Sequence, residues 1–194
     1  LEFNNVSSLI SSLDLMSSHN YLERSQDGSD ISILKYIMAE SPESISELDK
    51  DDVKLLWEAC QIPDFRKISN QDHAGLVMKI FEFVRAKGFI PSDWVQMEIN
   101  RLDNVQGDID ILSKRVSFIR TWSFVANISK WLSDGEYFVG ITRAIEDKLS
   151  DALHIKLTQR FVDLRRSVLI KKGMTENFDS KDFELRDDNC LYIK

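Results

Sequence analysis

Cysteine is nearly absent. Cys60 and Cys190 stand far apart with no CxxC context, and His19, His73 and His154 are the only histidines, so the spacing that zinc ligation needs is missing. A buried thiol at Cys60 and a strand thiol at Cys190 are the expected roles, and a chain of this size needs no disulfide framework. No apolar run approaches the roughly 18 residues of a membrane span, and Leu1 opens the sequence without an initiator Met or a charged-then-apolar leader. That start reads as a piece of a longer cytoplasmic protein with no membrane partner.

Catalytic patterns are missing as well. The segment from Gly135 to Thr142 has the glycine spacing of a phosphate-binding loop, but Ile141 stands where the phosphate-reaching lysine belongs, and the residues before it read as helix instead of strand. No Asp-Glu-x-His or Asp-Glu-x-Asp tetrad is present to hold magnesium, and no Ser or Cys sits in a nucleophile elbow. The paired carboxylates Asp51/Asp52, Asp108/Asp110 and Asp187/Asp188 fall at helix starts and turns, where they complement the dipole or bond the backbone. These absences predict no catalytic residue, no metal ligand and no cofactor in this chain, and no ATP hydrolysis by it alone.

What is present suits a helical domain. With 43% apolar residues, 194 residues can bury a sizeable core as one domain, or as one domain with an appendage. A short helix over 6–16 and a polar loop to residue 29 form a linker. Asp30 is expected to cap a helix to about Ala39, and Pro42 to start a short turn. Residues 51–61 put Val53, Leu56, Trp57 and Cys60 on one stripe, and Pro63 ends that helix. Ser69 has the position of an N-cap for a helix running to Lys87, with Gly88 as its stop. Pro91 or Ser92 starts the next, carrying Trp94, Val95, Ile99 and Leu102.

Two longer helices follow. One runs from Asp108 with apolar residues three and four apart until Gly135 breaks it. The other spans about 136–172 on Ile141, Ile145, Leu149, Leu153, Leu157, Phe161, Leu164 and Val168. Joined by a short turn, they are expected to pack antiparallel at the centre of a bundle. Beyond Gly173, Phe183–Leu185 and Cys190–Ile193 read as the strands of a short hairpin around the turn 186–189, a β element cut short at the chain end. The expected fold is therefore all-α, a helical bundle over 30–172, with a linker before it and a truncated β-hairpin over 173–194.

Charge is unevenly spread. Residues 1–72 carry 6 Lys/Arg against 14 Asp/Glu, residues 73–172 carry 16 against 12, and the remainder 3 against 6. A basic middle within a chain of net charge −7 permits a local phosphate-binding face. Its candidate members on the last helix are Arg143, Lys156, Gln159, Arg160, Arg165 and Arg166, with Lys156 and Arg160 four apart and so adjacent. Arg120 and Trp122 on the preceding helix can extend the face, so that a single strand is gripped by phosphate contacts and base stacking. Against this stands a merely solvated helix, since Glu146, Asp147, Asp151 and Asp163 can pair with the same cations. The tryptophans otherwise read as core, with Trp122 as the exception.

Three blocks carry a family resemblance: Leu55-Leu56-Trp57-Glu58-Ala59-Cys60-Gln61-Ile62-Pro63-Asp64-Phe65-Arg66-Lys67, then Ile119-Arg120-Thr121-Trp122, then Leu149-Ser150-Asp151-Ala152-Leu153-His154 running on to Leu157-Thr158-Gln159-Arg160-Phe161-Val162-Asp163. In this order they resemble the Suv-type helicases of superfamily 2, over most of the chain from about Asp30 to Leu169. The resemblance implies the C-terminal helical region that follows two RecA-like motor domains, with ATP and magnesium held in those domains. It would guide a single strand of RNA or DNA and brace the motor, on which Phe65, Arg66 and Lys67 are the docking candidates. The alternative is a docking module for a protein partner, such as a nuclease in an RNA-decay assembly.

Overall fold

The computed structural model describes residues 1–16, 28–65, 69–171, 183–185 and 191–193, with the side chains of Leu164, of 166–171 and of the two strands left aside. Arg66, Lys67, the side chain of Arg166 and the turn expected at 186–189 therefore lie outside the described residues. The described chain is mostly helical. It forms two compact units, Leu1–Ala152 and Leu153–Lys194.

Eight helices are described: α1 (Val6–Met16), α2 (Ser29–Glu40), α3 (Pro42–Ser46), α4 (Lys50–Cys60), α5 (Asn70–Lys87), α6 (Ser92–Leu102), α7 (Ile109–Ala126) and α8 (Gly135–Lys171), the last supplying residues to both units. Their starts follow local chemistry. Asp49, Ser69 and Asp108 each accept a bond from the amide three residues on, at 2.8, 3.1 and 2.8 Å, which satisfies a donor that the first helical turn leaves open. α2 departs from expectation: Gly28 precedes it, and Asp30 lies in its first turn, with Oδ1 accepting from the Ile31 amide at 2.9 Å. Gly88 closes α5 in the left-handed conformation (φ 79°), its amide donating to the Val84 carbonyl at 2.8 Å.

α4 packs on α5, α2 covers both, and α6 packs on α7. Leu34, Ile37, Val53, Leu56, Cys60, Val77 and Ile80 fill the first of these groups, each no more than 2% exposed. α7 ends at Ala126, before the expected break at Gly135. Asn127 follows it, with Nδ2 donating to the Ser123 carbonyl at 2.7 Å, and the chain turns through Trp131 and Leu132, both buried. Gly135 thus opens α8 instead of breaking α7. A Cβ there would come within 3.2 Å of the Ala126 carbonyl oxygen, so the close approach of the two helix ends suits glycine.

The Pro63 corner is fixed from two sides. His73, 2% exposed, places Nε2 2.9 Å from the Ile62 carbonyl oxygen, and Thr121 Oγ1 donates to the Pro63 carbonyl at 3.3 Å. Lys130 pairs with Glu58, Ser92 Oγ donates to Asp134 at 3.0 Å, and the Ile90 amide donates to the Trp131 carbonyl at 2.7 Å. α4, α5, α6 and α7 are thereby tied through loops as well as through apolar faces. In the second unit β1 (Phe183–Leu185) pairs antiparallel with β2 (Leu191–Ile193), Glu184 opposite Tyr192.

Cys60 shows what this core does to a titratable group. Desolvation by burial, with a smaller contribution from the charge of Asp30, pushes its thiol up from 9.0 to about 12. A raised acid of this kind stays neutral in the fold while the unfolded thiol ionises. Its stabilising contribution is whole below pH 9 and is lost as pH rises toward 12. A Cys190→Ser chain at pH 8 is therefore expected to resist a thiol-reactive dye while native and to label fully in denaturant; rapid native labelling would show that Cys60 is reached by solvent.

Candidate nucleic-acid interface

The cations of the expected face separate into two groups with different surroundings. In the first unit Arg120, of the expected face, is already engaged, as are Lys148 and Arg115 on the same two helices. Arg120 Nε donates to Glu146 Oε1 at 2.7 Å, and Lys148 Nζ to Asp103 Oδ1 at 2.6 Å. Arg115 donates to the carbonyls of Asn104, at 2.6 Å, and of Gln106. These ties join α7 and the segment after α6 to their neighbours; the carboxylates partly neutralise Arg120 and Lys148, while the carbonyls hold Arg115 in place without cancelling its charge. Arg143 is the exception: it is exposed and in no ion pair among the described residues.

Trp122 does not extend the face, contrary to expectation. It is 1% exposed, edge-on to Trp94 at 5.3 Å (75°) and 6.4 Å from Phe118. The stripe Leu112, Val116, Ile119 and Trp122 turns it inward with its apolar neighbours, and Arg120, two residues before it, points away. Following an arginine in sequence does not decide on which side of a helix a ring falls.

On α8 the turning point is Leu149, which is fully buried. Beyond it the apolar spacing persists but the cover does not: Ile155 is 64% exposed, Leu157 47%, Phe161 54% and Val162 56%. Lys156, Gln159, Arg160 and Arg165 are exposed beside them. From Leu153 to Lys171 the helix carries five Lys/Arg against one Asp. Lys156, Arg160 and Arg165 are in no ion pair among the described residues. The Arg165 guanidinium lies 4.4 Å from the centroid of the Phe161 ring, which combines a cation with an aromatic face on one helical ridge.

Spacing alone makes Phe161 a core residue, and the structure exposes it. What distinguishes it in sequence is its setting, with Arg160 before it and Arg165 four residues later. Phe65, at the end of the Pro63 corner, is 44% exposed. The segment 135–142 is helical from its first residue, and Thr142 is buried with Oγ1 donating to the Phe138 carbonyl at 2.8 Å. No loop is available there to cradle a phosphate. Among the described residues no group of three or more His, Cys, Asp or Glu is placed to hold a metal ion, and no helix is long and apolar enough to cross a membrane. Comparison with family models, curated proteins and solved structures finds no match to this chain.

Proposed function

We propose that this chain is the accessory C-terminal helical domain of an ATP-dependent RNA or DNA helicase, which guides a single strand and braces the motor domains without hydrolysing ATP itself. Two RecA-like domains of the same polypeptide would hold ATP and magnesium. The helicase assignment rests on the three blocks that resemble the Suv-type family. The observation that carries strand contact is the far half of α8, where Lys156, Arg160 and Arg165 stand outside ion pairs beside the exposed Phe161 ring. Cations on a ridge with a ring among them serve both needs of a single strand, phosphate neutralisation and base stacking. In this reading α7 and the near part of α8 are antiparallel neighbours tied by Arg120 and Glu146, Phe65 with the residues after it seats the domain on the motor, and the β1–β2 pair begins a small β element.

A second reading rests on the same helix. Ile155, Leu157 and Val162 are exposed apolar residues with no part in phosphate contact, and they suit a protein partner such as a nuclease. Binding of a fluorescent single-stranded RNA, with matched DNA, across a salt series separates the two. The strand-guiding reading expects a steep salt dependence. Joint replacement of Lys156, Arg160 and Arg165 by Ser should flatten the logarithmic slope by about 2, at about 0.7 for each phosphate no longer neutralised. Unchanged affinity and slope in that variant would overturn strand binding on α8 and leave partner docking as the reading of the exposed row.

A further inference from the structure

A second set of cations and rings lies in the first unit, on α5 and α6. Lys79, Phe83 and Lys87 recur every four residues and so form a row along α5. Trp94 of α6 packs against that row, its ring centroid 5.0 Å from that of Phe83 with the planes tilted by 52°. Lys79 Nζ lies 4.8 Å from the centroid of Trp94, and Lys87 Nζ lies 5.8 Å from that of Phe83. Both lysines are exposed and both rings are half-buried. Neither lysine is in an ion pair among the described residues. One turn before Lys79, Gly75 adds no side chain to the row, and a Cβ built there would meet nothing within 4 Å.

The rings are held in place from below. Trp94 meets the buried Trp122 edge-on, and Trp122 in turn contacts Phe118. A ring fixed in this way loses little freedom when a planar ligand lies on it, which is the physical requirement of a stacking platform. An exposed ammonium over a ring is weakly held, because water competes for it. It can swing to an anion and leave the ring face open.

We infer that Lys79, Phe83, Lys87 and Trp94 form a binding site for single-stranded nucleic acid, separate from the cations of α8. Phosphates draw Lys79 and Lys87 off the rings, and bases take the vacated faces of Trp94 and Phe83. The tilt between the rings prevents both from stacking on one base, so each serves its own. An acidic peptide would satisfy the two ammoniums and leave the rings unused, which is why the strand is the better match. Glu82 and Asp93 are exposed on the same helices. Net positive potential is therefore modest, and stacking supplies much of the affinity.

This inference does not rest on the α8 reading, and tryptophan emission tests the two apart. Trp57, Trp122 and Trp131 are buried, at 8%, 1% and 1% exposure, so Trp94 is the indole that a ligand can reach. Titrating the full chain with oligouridylate should quench emission in step with binding. The quench should persist when Lys156, Arg160 and Arg165 are all Ser, and should vanish in Trp94→Phe, which keeps a ring in place. The double variant Lys79→Gln, Lys87→Gln leaves the packing untouched and should weaken the quenching interaction by about tenfold at low salt. Oligouridylate binding without a Trp94-dependent quench would overturn the site while leaving strand binding on α8 standing. Quenching by polyglutamate but not by oligouridylate would also overturn it, by assigning the row to acidic polypeptide.

Discussion

Replacing Trp122 by alanine is expected to lower the free energy of unfolding by about 3–5 kcal/mol, the cost of removing a large ring from a packed interior. The ring is 1% exposed and lies where α6 and α7 meet, against Trp94 and Phe118. Its removal opens a void, because the helices on either side are held by bonds elsewhere and cannot close over it. The Arg120–Glu146 and Thr121–Pro63 contacts hold α7 in place just before the ring. The indole N–H has no hydrogen-bond partner among the described residues. Trp122→Phe therefore loses volume without stranding a partner and should cost about 1–2 kcal/mol, within the ordinary range for a point substitution. Urea unfolding followed by circular dichroism measures both. A Trp122→Ala loss below about 1 kcal/mol would be too small for a core ring and would place Trp122 at the surface.

The second large effect is a contrast along one helix. Leu149→Asp should prevent stable folding of the first unit, whereas Leu157→Asp should change stability by no more than about 0.5 kcal/mol. Leu149 is fully buried and Leu157 is 47% exposed. The carboxylate at 149 would be taken out of water with no described cation provided for it, at a cost comparable to the stability of a whole domain. At 157 it would stay hydrated and add to a surface already rich in charge. Thermal melts of the two variants decide the matter. Equal melting points would contradict the end of the buried stripe at Leu149.

This contrast also marks how far the sequence could be read. Ser69 and Gly88 announced α5 because capping and the left-handed turn are local requirements of those residue types. Pro63 likewise announced the end of α4. The apolar spacing of α8 showed which side chains share a face, but spacing carries no information on whether another element covers that face. Leu149, Leu153, Leu157 and Phe161 form one row four residues apart, yet cover ceases within it. Gly135 misled because a glycine serves equally at a helix end and at a close contact, and here its approach to the Ala126 carbonyl decides. Trp122 misled for a related reason: Phe118 is a local neighbour on the same helix, but Trp94, which meets the ring edge-on, comes from α6. The ion pairs of the candidate Arg120 and of Lys148 on α8 depend on carboxylates 26 and 45 residues away, a distance over which no local pattern reports. Lys79, Phe83 and Lys87 are legible as a row, but Trp94, which makes the row a platform, arrives from the next helix.

The bend after α4 is held by main-chain oxygens of Ile62 and Pro63, while the donors belong to His73 and Thr121, 11 and 58 residues further on. Every residue type offers the same carbonyl. These two attachments therefore read no side chain at the bend: Ile62 is held there separately, by burial at 2% exposure, while His73 and Thr121 fix the course of a stretch of chain to which neither belongs.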